Sequence, residues 1–182
     1  MVYIMLGKGF EETEAIAPGD ILRRAQIPMQ YVGIGGRIVE GAHGIAIQAD
    51  ITLEEMDLTQ LDMIVLPGGL GGVESVENSE GAMNAVKFSL DNGKYVAAIC
   101  AAPMILGKRG WLDGKHAVCY PGCENGMGKA IVHAEKEAVV DGNIITGRAP
   151  GAAIEFGLTL AGKLPGEFTP DEIAGYMVYD RK

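Results

Sequence analysis

Short apolar runs alternate with amphipathic stretches from one end of this chain to the other. Val2-Tyr3-Ile4-Met5-Leu6 is continuous and apolar, the pattern of a strand buried on both faces. A turn at 7–10 leads into a helix opened by Glu11, Glu12 and Glu14 and running to about Ala25. Acids in its first turn, and Arg23 and Arg24 in its last, complement the helix dipole. Ile16, Ile21 and Leu22 are expected on its inner side. Residues 29–34 predict a second strand, and residues 37–39 with 45–47 a hairpin. Residues 52–56 predict at most a short helix.

Met63-Ile64-Val65-Leu66 is another buried strand, ending at Pro67-Gly68-Gly69 with Gly71 and Gly72 close behind. So many glycines after a strand imply a close backbone approach. Asn78 or Ser79 can cap a helix to about Asp91, with Gly93 ending it in the left-handed conformation. Residues 95–99 then read as a strand that breaks at Cys100, and a helix is expected from Pro103 to about Arg109. Residues 117–120 predict a short strand and 121–129 a glycine-rich loop. Residues 137–140 and 143–146 flank Asp141-Gly142, a hairpin signal. The last clear helix covers 151–161, and a short one 170–175. Strands alternating with helices predict an α/β fold, a mostly parallel sheet with helices on both faces. One domain is expected over 1–182. Ligands in such sheets bind beyond the carboxyl ends of strands, where strand order reverses. The loops 7–14, 67–72 and 99–103 leave that edge.

Composition narrows the class. The 182 residues are 48% hydrophobic with 27 glycines, which suits one compact core with many tight turns. A formal net charge of -9 without a basic cluster argues against nucleic acid or an anionic membrane as partner. No apolar run reaches the roughly 20 residues of a membrane span. Met1 leads straight into the first strand, and Cys100, Cys119 and Cys123 make an odd count. Both features predict a reducing, cytoplasmic setting.

Cys100 is the foremost candidate for chemistry. Ala98 and Ala102 flank it at two residues on either side, as a sharp strand-to-helix nucleophile elbow requires. At a helix amino terminus a thiol is expected to ionise between roughly 3.5 and 7.5 instead of about 8.5. Glu14 could reach the same edge and, facing a thiolate, would be pushed toward its protonated form. The N–H groups of Gly68, Gly69 and Ala101 could hold an oxyanion. Arg148 and Pro150 precede the last helix, where an arginine and a helix end could grip an anion, or where the arginine simply bonds loop carbonyls. His43 lies near the first hairpin and could face the pocket. The residue after Cys100 is Ala101, so no histidine adjoins the candidate nucleophile. His133-Ala134-Glu135 has a His-x-Glu spacing, but in a hairpin-like segment, and His116 reads as ordinary surface. Cys119 and Cys123 enclose proline and glycine without further clear ligands, so no metal is expected.

Taken together, Gly9-Phe10-Glu11-Glu12-Thr13-Glu14, Val65-Leu66-Pro67-Gly68-Gly69, Ala97-Ala98-Ile99-Cys100-Ala101-Ala102-Pro103 and Arg148-Ala149-Pro150-Gly151 closely resemble the ThiJ/PfpI superfamily, in its DJ-one branch and near the bacterial members. The motifs run from the first loop to the last clear helix. The resemblance implies a flavodoxin-like three-layer sandwich and a homodimer. It implies that Cys100 is the reactive thiol, Glu14 its protonated partner, and Gly68, Gly69 and Ala101 the backbone donors around it. The chain departs from the branch at two places. Tyr120 stands where the branch commonly has a histidine, and His43 where it often has an arginine. Proton transfer then falls to Glu14 or water.

The leading expectation is a cysteine-dependent, cofactor-independent enzyme of the glyoxalase or deglycase type. Its substrate would be a small reactive aldehyde such as methylglyoxal, or a glycated compound. Ala101 in place of the histidine that follows the cysteine in the protease-like branch argues against peptide hydrolysis. The alternative is a non-enzymatic oxidative-stress sensor or chaperone that uses the same oxidisable thiol.

Overall fold

The computed structural model describes residues 1–181. Its centre is a seven-stranded sheet. β1 (Val2–Leu6) pairs in parallel with β2 (Met29–Gly33) on one side and with β6 (Met63–Leu66) on the other. β5 (Ile51–Thr52) extends the sheet beyond β2. β7 (Tyr95–Ile99) and β11 (Ile144–Gly147) extend it beyond β6, still parallel, and β10 (Ala138–Asp141) closes that edge antiparallel to β11. All side chains of β1 and β6 are buried, as their unbroken apolar runs require.

The chain steps from β1 to β2 in one direction and from β6 to β7 in the other. Right-handed crossovers therefore place α1 (Glu12–Arg24) and α3 (Glu80–Asp91) on opposite faces of the sheet. α5 (Ala153–Ala161) packs against α1 on its face, and α6 (Pro170–Tyr176) packs against α5. This is the expected three-layer α/β arrangement. The reversal of strand order falls between β1 and β6, so the loops after these two strands straddle the switch point.

Several local expectations are met. Ser79 caps α3, its hydroxyl accepting from the Ala82 N–H at 3.3 Å, and Gly93 has φ 64. β3 (Ile38–Glu40) and β4 (Ala46–Gln48) form the first hairpin. Other boundaries differ. Gly71 and Gly72 belong to an unforeseen helix, α2 (Leu70–Glu77), because the backbone turns helical straight after Gly69. α4 is only Pro103–Gly107, and Gly110 at φ 73 takes the chain out of the helical path. The expected strand at 117–120 is shifted to β8 (His116–Ala117), paired in parallel with β9 (Ile131–Val132). Ile16 faces outward and is 38% exposed.

Candidate active site

Cys100 follows β7 with φ 66, a left-handed conformation that costs an L-residue roughly 1–2 kcal/mol. Neighbouring backbone holds it there. Its N–H donates to the Gly147 carbonyl at the end of β11 at 2.9 Å, and its own carbonyl accepts from the Tyr120 N–H at 2.8 Å. The segment that delivers Tyr120 is itself fixed, because the Val118 N–H donates to the Thr146 hydroxyl at 2.9 Å. Thr146 is fully buried in β11. Its supporting role was missed from sequence, where a lone threonine between Ile145 and Gly147 is the only signal.

The side chain of Cys100 leaves the sheet edge between two donors, the N–H groups of Gly69 and Ala101. Gly69 reaches this position at φ 79, where a side chain would also press on the Glu11 N–H at 2.7 Å. The N–H of Gly68 turns the other way, donating to Glu14 Oε2 at 2.8 Å. Of the three expected donors, two therefore face the sulfur and the third fixes the carboxyl. A Cβ on Gly68 would stand 2.7 Å from Glu14 Oε2 and 2.8 Å from Cys100 Cβ, so only glycine leaves these side chains room to meet.

Glu14 comes from the first turn of α1 and is 0% exposed. Its carboxyl faces the Cys100 thiol, and Oε1 is the buried side-chain oxygen without a well-formed hydrogen bond among the described residues. Burial pushes Glu14 up from 4.5 to about 7, against the hydrogen bonds from Cys100 and Gly68, while the neighbouring Glu11 charge adds to the rise. Burial also pushes the Cys100 thiol up, and a charged Glu14 adds to it, outweighing Ala101 and Gly69. The expectation of a lowered thiol is thus corrected. A helix of five residues supplies too little field to offset the loss of solvent. The two groups instead share protons. Glu14, the more acidic of the two, loses its proton near pH 7, while the thiol keeps its own and hydrogen-bonds the carboxyl.

A hollow of about 370 Å³ opens beside the sulfur, walled by Leu70, Tyr120, Pro121 and Cys123. Tyr120 thus stands at the site, 46% exposed. His43 does not line this hollow. Its ring Nδ1 lies 2.8 Å from Glu12 Oε2 and 3.3 Å from Glu11 Oε2, which raises its pKa. Arg148 and Pro150 follow β11 at the same sheet edge but do not wall the hollow, and the Arg148 N–H is bonded to the Glu137 carbonyl at 3.0 Å. No histidine among the described residues lines it.

Residues 1–163 match the model of the DJ-1/PfpI family. The chain is 36% identical over 173 residues to dj-1beta of Drosophila melanogaster, covering 94% of this chain and 92% of that one. It is 34% identical over 143 residues to a deglycase, PfpI, of Pyrococcus furiosus, covering 78% and 86%. Against a DJ-1 homologue of Arabidopsis thaliana, 36% identity over 168 residues covers only 38% of that longer protein. Among solved structures, Drosophila DJ-1beta superposes with a TM-score of 0.92 at 34% identity, covering 99% of this chain and 98% of that one. A DJ-1 superfamily protein of Salmonella typhimurium gives 0.91 at 33%, with the same coverage. The chain belongs to the DJ-1/PfpI family.

Proposed function

We propose that this protein is a cysteine-dependent, cofactor-independent enzyme that acts on small reactive aldehydes and their adducts with amines or thiols. The observation that carries this reading is the buried Glu14–Cys100 pair, with the Glu14 carboxyl facing the thiol and the Gly69 and Ala101 N–H groups donating toward the sulfur. The deglycase names of the Pyrococcus relatives support the substrate class.

With methylglyoxal, the Cys100 sulfur bonds to the aldehyde carbon while its proton passes through Glu14 to the carbonyl oxygen, giving a hemithioacetal. The N–H groups of Gly69 and Ala101 hold the oxygen as charge develops. Glu14 then removes the hydrogen on the former aldehyde carbon and returns it to the neighbouring carbon, while the hydroxyl proton passes from the first oxygen to the second, so that the first becomes the thioester carbonyl and the second the hydroxyl. The product is a thioester of lactate. Water cleaves the carbon–sulfur bond, lactate leaves and the thiol is restored. The cycle adds one water and needs no external oxidant or reductant. It uses one base, Glu14.

Lactate formation from methylglyoxal tests the reading. Cys100→Ser is expected to lose roughly 10³-fold or more in turnover. Equal turnover by wild type and variant would refute it. The same donors favour a second reading, because Gly69, Ala101 and protonated Glu14 could also hold the oxygens of a sulfinate. After mild peroxide, mass spectrometry should find Cys100 oxidised first. Oxidation of Cys119 and Cys123 with Cys100 still reduced would exclude a sensor. Self-association is part of the proposal and is supported by the outward Ile16 and Ile45, 38% and 56% exposed. A monomeric mass by light scattering would remove it.

A further inference from the structure

Two clusters outside the Cys100 site carry metal-ligand chemistry. In the first, Glu11, Glu12 and His43 lie within 4.8 Å of one another. Glu12 in this cluster already accepts from the His43 N–H, the His43 ring and the Ile45 N–H. The second cluster is different. Nδ1 of His116 and Nε2 of His133 face each other at 2.6 Å.

The geometry of this pair is specific. The ring centres are 4.9 Å apart and the planes differ by 23°. The centroid separation equals the nitrogen separation plus one ring radius at each end. Both nitrogens therefore lie on the line between the ring centres, and the rings meet edge to edge. In-plane lone pairs then point at one another, with room for one proton between them.

The backbone under the rings is fixed from several directions. His116 belongs to β8 and His133 follows β9. The Ile131 N–H donates to the Lys115 carbonyl and the His133 N–H to the Ala117 carbonyl, each at 2.8 Å. The His116 N–H donates to Asp141 Oδ2 at 2.8 Å, and Lys115 pairs with the same carboxylate at 3.7 Å. Behind the second ring, Glu135 Oε1 lies 3.6 Å from His133 Nδ1. A carboxylate on the far side of the ring from the facing nitrogen is the outer-shell arrangement of metal-bound histidines. The rings open onto a shallow hollow that Lys136 also lines, where water can enter.

We propose that His116 and His133 bind a divalent cation of the nickel, copper and zinc class, with water completing the coordination. Imidazole nitrogens suit these ions, whereas magnesium and calcium prefer oxygen. Bent coordination at about 2.0–2.1 Å per bond needs the nitrogens about 3.3 Å apart. The nitrogens must move apart by about 0.7 Å and each ring must turn by roughly 35° from its head-on direction, which the exposed His116 and the partly exposed His133 can do. The cation takes the place of the proton between the rings, which moves to the outer Nε2 of His116. Two protein ligands give a reversible site, not a structural one.

Nickel chloride titrated into the full chain at pH 7.5, followed by amide NMR, tests this without oxidising the thiols. Paramagnetic broadening should appear first at residues 115–118 and 131–138. Loss of an outer partner alone costs roughly 10–100-fold in metal affinity, so His116→Gln or His133→Gln should raise the midpoint by roughly tenfold or more. His43→Asn should leave it unchanged. Broadening that begins around Glu12 or Cys100, or a midpoint unaltered in both glutamine variants, would overturn the assignment. So would displacement of nickel by equimolar magnesium.

Discussion

Replacing Glu14 by glutamine should abolish a specific loss of stability that the wild-type protein suffers as pH rises. The carboxyl is 0% exposed, and its pKa rises from 4.5 in the open chain to about 7 in the fold. The folded state therefore binds the proton more tightly than the unfolded state. The stabilisation is complete below about pH 4.5 and is lost as pH rises through 7. The rise corresponds to about 3 kcal/mol. Glutamine keeps the shape of the protonated acid and cannot ionise. Urea unfolding of both proteins at intervals from pH 4 to 8.5 reads the difference directly. Other carboxylates are common to both chains and cancel, and burial holds the Cys100 thiol un-ionised across this range. The stability of Glu14→Gln relative to wild type should grow by about 3 kcal/mol, most of it between pH 4.5 and 7. A difference that stays constant with pH would refute the raised carboxyl and, with it, the shared proton.

Three further outcomes follow from the same geometry. Gly68→Ala places a methyl 2.7 Å from Glu14 Oε2 and 2.8 Å from Cys100 Cβ. It should cost about 2 kcal/mol in urea unfolding and suppress lactate formation; an active variant of wild-type stability would show that the pair tolerates separation. Because Cys100 has φ 66, Cys100→Gly should be more stable than Cys100→Ala by about 1 kcal/mol, the reverse of the usual order in regular structure, and the usual order would mean an unstrained turn. Tyr120→Phe should turn over methylglyoxal at close to the wild-type rate, since the residue's backbone, not its hydroxyl, is bonded to Cys100; a loss of roughly 10²-fold would make the hydroxyl a proton carrier.

Much of the fold was legible because its signals are local. The unbroken apolar runs of β1 and β6, the Ser79 cap and the Asp141-Gly142 hairpin each carry their own instruction. The switch point could be anticipated from the alternation of elements, which brought Glu14, the glycine turn and Cys100 to one edge. What escaped depends on contacts distant in sequence. The ionisation of Cys100 is set by burial and by Glu14, not by the short helix after it. Gly68 gives its N–H to that carboxyl, 54 residues away, instead of to the sulfur. His43 is drawn off by Glu11 and Glu12, and the meeting of His116 with His133 depends on how β8 pairs with β9. Neither spacing nor periodicity reports such pairings. α2 was unexpected because four glycines within 68–72 mask the helix that begins among them.

The central claim is that Glu14 and Cys100 act as one proton-sharing unit in attack on an aldehyde. The most direct test is the pH profile of kcat/KM for methylglyoxal, in wild type and in Glu14→Gln. The wild-type profile should rise through about pH 7 as the pair loses its first proton. In the variant that limb should vanish, leaving a much lower rate that rises only where the thiol itself ionises. A variant profile that superimposes on the wild type would contradict the account.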